Sequence, residues 1–138
     1  MNRVGIFLVA LLLSGCQPNE SASLPGTGDW RLINYWALWC TPCREEIPEL
    51  NRLDELPDIT VLGVNFDGKR GEEREQHRAA LGIRFAGLSA DPATGLGITP
   101  PQVLPTTLVV DPEGRWVASL VGPQTATAVI EALAELGR

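Results

Sequence analysis

Cys40 and Cys43 are the two side chains best placed to do chemistry together, separated only by Thr41 and Pro42. They close the stretch Tyr35-Trp36-Ala37-Leu38-Trp39-Cys40-Thr41-Pro42-Cys43-Arg44, which reads as the end of a buried strand and the first turn of a helix. A thiolate attacks a disulfide sulfur, and a second thiol nearby resolves the mixed disulfide. Two intervening residues at a helix start bring both sulfurs within bonding distance, and the helix N-terminus stabilises the thiolate. Cys40, first in the motif and preceded by the bulky Trp39, is expected to be the exposed nucleophile. Cys43, one turn into the helix, is expected to be the more buried resolving thiol.

Other uses of such a pair fit less well. A structural zinc site needs four ligands. With Cys16 read below as lipidated, the chain offers two free thiols and the single histidine, His77. Covalent haem attachment needs a histidine after the second cysteine, and Arg44 stands there. A purely structural disulfide across so short a loop restricts the unfolded chain little. Cu(I) binding by two soft thiolates is the strongest rival. No cofactor and no metal are expected in the leading reading.

The chain has 138 residues, room for one domain, and a net charge of -6, which argues against nucleic acid as a partner. Residues 1–15 are expected to lie outside the fold. Arg3 is a short positive region, and Val4 to Leu13 is an apolar run of ten residues. A membrane-spanning helix needs about 20, so the run suits a signal peptide instead. Leu13-Ser14-Gly15-Cys16 resembles the bacterial lipobox. That resemblance implies cleavage before Cys16 and lipidation of its sulfur and new amino terminus, hence stable membrane anchoring. Cys40 and Cys43 would then be the only free thiols. Residues 16–29 read as a flexible tether, and residues 30–138 as the folded domain.

The elements that must position the pair follow in order. Arg31 to Leu38 and Ile59 to Phe66 are near-continuous apolar strands, as in a sheet covered on both faces. Between them a helix starts after Cys40, with Cys43, Ile47, Leu50 and Leu53 at helical spacing and Pro48 kinking it. Glu72 to Leu81 is a polar helix stopped by Gly82, with His77 expected exposed. Ile83 to Leu88 is a short strand and Ala93 to Leu96 a helical turn. Thr106 to Val110 and Trp116 to Val121 form a hairpin about Asp111-Pro112-Glu113-Gly114. Thr125 to Leu136 is a closing helix, with Val129, Ile130, Leu133 and Leu136 on one face. The order predicts an α/β domain, a mixed sheet flanked by helices.

With these residues in view, residues 30–138 resemble thioredoxin, and more closely the TlpA-like thiol–disulfide oxidoreductases of the bacterial envelope. The likeness rests on Trp-Cys-Thr-Pro-Cys-Arg, on Pro48 five residues later, on Leu104-Pro105-Thr106-Thr107, and on Gly114 and Gly122. It implies a thioredoxin-like fold in which Asp67 to Leu88 is the helix-and-strand insertion of the TlpA type. It implies a cis Pro105 beside the cysteines, with Leu104 offering backbone groups to an extended substrate. Trp39 and Pro42 would support the pair. Asn34 stands where thioredoxin has a buried carboxylate, and an amide cannot act as a base. Glu46 matches an acidic residue near the cysteines of reductases in cytochrome c maturation. It either tunes the thiols and shuttles protons or is a solvated helix charge beside Glu45 and Glu49.

The resemblance implies a membrane-anchored enzyme that reduces disulfides of envelope proteins, for example in cytochrome c maturation or copper-site assembly. A membrane thiol transporter of the DsbD or CcdA type would deliver the electrons. Gln17 lacks the aspartate of inner-membrane retention and so favours the outer membrane in a Gram-negative cell. The alternatives are a dithiol oxidant of the same fold and a Cu(I)- or protein-binding module that uses the pair as ligands.

Overall fold

The computed structural model describes residues 23–138. The expected signal segment, Cys16 and the first part of the expected tether lie outside these residues. The strands are β1 (Trp30–Trp36), β2 (Ile59–Asn65), β3 (Ala86–Gly87), β4 (Thr106–Val110) and β5 (Trp116–Val121). They form one sheet in the order β3-β2-β1-β4-β5. β1 runs parallel to β2 and antiparallel to β4, while β3 is parallel to β2 and β5 antiparallel to β4. The helices are α1 (Thr41–Leu53), α2 (Gly71–Leu81) and α3 (Ala126–Glu135), with a 3-10 turn at Thr94–Leu96. Among the described residues no helix is long and apolar enough to cross a membrane.

β1 is central and buried along its whole length. Leu32 and Trp36 join a core with Ile47, Leu50 and Leu53 of α1 and Val129 and Leu133 of α3. Ile33 and Tyr35 point the other way and join Leu62, Val64, Leu108 and Val110. A strand covered on both faces has no use for polar alternation, which explains its continuous apolar run. Gly63 of β2 answers to a close approach: a Cβ there would lie 2.9 Å from the Trp36 indole nitrogen and 3.0 Å from the Phe85 ring.

α1, β2, α2 and the hairpin follow the sequence reading closely. Elsewhere the structure departs from it at particular places. Only Ala86 and Gly87 of the expected 83–88 strand pair with β2. Arg78 Nη2 donates to the Phe85 carbonyl at 2.5 Å and Arg74 Nη1 to the Leu88 carbonyl at 2.9 Å. Those side chains satisfy carbonyls that flank the short pairing. Ile83 and Phe85 are buried in the core without strand pairing. In α3 the buried face is Val129 and Leu133, while Ile130 and Leu136 are exposed. His77, expected exposed, is half-buried, and its Nδ1 has no hydrogen-bond partner among the described residues. The end of the expected tether is packed: Leu24 lies against the second core cluster and Asp29 Oδ2 accepts from the Thr60 hydroxyl at 2.7 Å.

Asn51, not singled out from the sequence, locks α1 to the link after α2. Its Nδ2 donates to the Gly82 carbonyl at 2.9 Å and its Oδ1 accepts from Arg84 N at 2.9 Å. Gly82 itself sits at φ 69°, the left-handed geometry that ends α2.

Candidate active site

The chain leaves the end of β1, turns through Ala37, Leu38 and Trp39, and enters α1 at its N-cap, Cys40. The Cys40 sulfur accepts from Cys43 N at 3.2 Å, the place a serine or aspartate oxygen would fill in an ordinary cap. Pro42 occupies the first helical turn, where a missing N–H is tolerated. Cys40 and Cys43 are joined as a disulfide with their Cα atoms 5.3 Å apart. Cys40 is 3% exposed and Cys43 fully buried. Cys40, expected exposed, is therefore buried in the disulfide state like Cys43, because its side chain turns in to cap α1 and bond Cys43, and the exposed group of the motif is Trp39, at 64%.

Trp39 is held in place from the loop after β2. Its indole nitrogen donates to both carboxylate oxygens of Asp67, at 3.0 and 3.2 Å. Its ring meets Phe66 edge-on, with centroids 6.3 Å apart. Next to β1 stands the segment before β4. The Leu104–Pro105 peptide bond is cis, and Leu104 packs against the cluster that holds both cysteines. Because Tyr35 pairs with Thr106 in the antiparallel register, Pro105 falls beside the end of β1.

Behind the disulfide lies a buried polar group. Glu46 is one turn on from Cys43, on the same face of α1. It is 1% exposed, whereas Glu45 is exposed and Glu49 half-buried. The solvated-charge reading of Glu46 is thus corrected. Its Oε1 accepts from Asn34 Nδ2 at 2.5 Å and its Oε2 from Gln124 N at 3.0 Å. Burial pushes its pKa up from 4.5 to about 7, against the lowering effect of those two hydrogen bonds. Asn34, fully buried, also donates to the Thr107 hydroxyl at 3.0 Å, and its Oδ1 has no partner among the described residues. Glu49 accepts from Ala126 N at 3.0 Å, so two glutamates of α1 hold the start of α3.

Cys40, Cys43, Trp39, Pro42, Glu46, Asn34, Leu104 and Pro105 are thus assembled around one end of the sheet, while Cys16 lies outside the described residues. Sequence reasoning missed Asp67 and Gln124, which act through the indole of Trp39 and the carboxylate of Glu46. Neither has a local signal, because each partner is distant in the chain.

A mixed sheet with a cysteine pair at the N-cap of the helix that follows its central strand, and a cis-proline just before the neighbouring antiparallel strand, defines a thioredoxin-like protein. Residues 15–118 match the AhpC/TSA family, and the chain belongs to that family. It is 34% identical over 103 residues to the thiol:disulfide interchange protein HelX of Rhodobacter capsulatus, covering 74% of this chain and 57% of that protein. It is 38% identical over 115 residues to a thiol:disulfide interchange protein DsbE homolog of Paracoccus denitrificans, covering 76% and 56%. The chain therefore spans little more than half the length of these relatives. A solved DsbF homologue from Corynebacterium diphtheriae superposes with a TM-score of 0.65 at 27% identity, covering 80% of this chain and 73% of that one.

Proposed function

We propose that the protein is a thiol–disulfide oxidoreductase that reduces disulfides of other proteins. The observation that carries this reading is the Cys40–Cys43 disulfide at the N-cap of α1 with a carboxyl of raised pKa buried behind it. In the reduced enzyme the Cys40 thiolate attacks one sulfur of the substrate disulfide. The Cys40–substrate bond forms, and the other substrate sulfur leaves as a thiolate. Cys43 then attacks the Cys40 sulfur, forming the Cys40–Cys43 disulfide and releasing the second substrate thiolate. The dithiol gives up two electrons, and each substrate sulfur gains one. Glu46 is the group placed to take the Cys43 proton, since its pKa of about 7 lets it exchange a proton near neutrality. Asn34 holds it in position through the 2.5 Å hydrogen bond. Leu104, before the cis-proline, would pair its backbone with an extended substrate.

The setting extends this proposal. Lipidated Cys16 would anchor the domain to an envelope membrane, the outer one by the Gln17 argument, facing the periplasm. A thiol transporter of the DsbD or CcdA type would restore the dithiol. Apocytochrome c and copper-site assembly proteins are the substrate candidates. The names of the curated relatives, which describe thiol:disulfide interchange, support the chemistry. A Cys43→Ser protein should accumulate mixed disulfides through Cys40, because the resolving thiol is gone. Trapping by Cys40→Ser in place of Cys43→Ser would reverse the two roles, and trapping by neither would contradict the proposal.

A further inference from the structure

We propose that Arg44 is a positioning residue for Cys40: its guanidinium ties the turn before the cysteine pair to α1 and keeps a positive charge beside that turn when the disulfide opens. This rests on the redox reading above. Arg44 lies one helical turn beyond Cys40, and its backbone N–H donates to the Cys40 carbonyl at 3.4 Å. Side chains of an α-helix lean toward its N-terminus. That of Arg44 leans back far enough for its Nη2 to donate to the Leu38 carbonyl at 2.8 Å. Leu38 is two residues before Cys40 and Arg44 four after it. The side chain therefore bridges the two ends of the stretch that carries the sulfur. In the disulfide state the Cys40 sulfur is fixed by its bond to Cys43 and by its place in the cap. Once the disulfide opens, residues 37–40 remain tied by the Cys40 N bond to the Ala37 carbonyl at 3.1 Å and by the Arg44 bond to Leu38.

The placement runs against the ordinary rule for a helix start. The positive end of the helix dipole favours acidic residues there and disfavours cations. The first turn of α1 has no acidic residue, and Arg44 follows it. The anion that suits both the dipole and the guanidinium is a thiolate at Cys40. The acids around the pair act the other way. Glu46 is buried behind Cys43, Asp67 holds the Trp39 indole, and Glu45 is exposed beside Arg44 on α1. On the side of β4, Leu104 and Pro105 carry no charge. The cations of the Asp67 loop are committed elsewhere, Lys69 to Glu73 at 2.7 Å and Arg70 to the N-cap position of α2. Arg44 is thus the cation whose bond lies on the motif itself. Its side chain is exposed, so solvent and salt screen the charge and the effect on the thiol is modest.

The test reads Cys40 itself. In the dithiol protein, alkylation of Cys40 by iodoacetamide is timed across pH and followed peptide by peptide in a mass spectrometer, which separates it from Cys16 and Cys43. The midpoint of that profile reports the Cys40 thiolate. Arg44→Gln and Arg44→Ala should each move the midpoint up by about half a pH unit, and so cut the rate below the midpoint about threefold. Arg44→Lys should stay with the parent. Salt at about 1 M should raise the parent midpoint by more than that of Arg44→Gln. The rate of insulin disulfide reduction at a pH below the midpoint should fall in the same ratio as the alkylation rate. A midpoint unmoved in both Arg44→Gln and Arg44→Ala overturns the proposal. A shift in Arg44→Ala alone also overturns it, because the charge would then play no part. A shifted midpoint without reduction of any protein disulfide supports the role of Arg44 and overturns the redox reading.

Discussion

Glu46 is a side chain whose charge changes near neutrality, and its linkage to folding has a definite sign. In the unfolded chain it releases its proton near 4.5, and in the fold near 7. Below pH 4.5 both states hold the proton and the native state keeps its full contribution. As pH rises from 4.5 to about 7 the unfolded state binds fewer protons than the native, so stability falls, and above that range it levels. The whole effect is on the order of 3 kcal/mol at about 1.4 kcal/mol per pH unit. Glu46→Gln should remove this decline and be more stable than the parent at pH 8, as read by urea unfolding across pH. Asn34 explains why an amide suits the place beside it. Its Nδ2 serves a charged Glu46, and its unpartnered Oδ1 can accept from a neutral one if the amide turns over. Asn34→Asp would set two carboxyls against each other and should move the pH profile of disulfide reduction upward by about one pH unit or more. The cysteines were legible in the sequence because their type and spacing are rare. Glu46 was only half legible: beside Glu45 and Glu49 it differs in helical phase alone, three residues from Cys43 and four from Leu50 on the apolar stripe.

At the scale of elements, two contacts decide how firmly β2 and α1 frame the site. Gly63→Ala drives a methyl group into Trp36 and Phe85, both buried, and should cost about 1–3 kcal/mol in denaturant unfolding. Asn51→Ala removes two hydrogen bonds that join α1 to Gly82 and Arg84. It should cost about 1–3 kcal/mol, with faster amide exchange at residues 82–84. Strands buried on both faces and a helix opened by Cys-Thr-Pro-Cys were readable, since local composition dictates them. The length of β3 was not, because Arg74 and Arg78 reach back across the loop to take carbonyls. The exposed Ile130 and Leu136 show the same limit: α3 is short and largely apolar, and only packing against α1 decides which residues it buries.

At the scale of the whole molecule, the acidic domain, the proposed lipid anchor and the redox pair make one account. Cys16→Ser should release the protein from the membrane fraction, and unchanged partition would contradict the anchor. The direction of electron flow depends on how much the fold favours the thiolate. The N-terminus of α1 favours it by about 1 kcal/mol or less, while a Glu46 carboxylate one turn away opposes it above pH 7. The motif Thr41-Pro42 adds no charge. The disulfide should therefore be hard to reduce, as a reductase requires. Equilibration of the protein against glutathione buffers of known ratio at pH 7 measures this directly. The account predicts a potential nearer the thioredoxin value of about -270 mV than the DsbA value of about -120 mV, and a value above about -180 mV would contradict it.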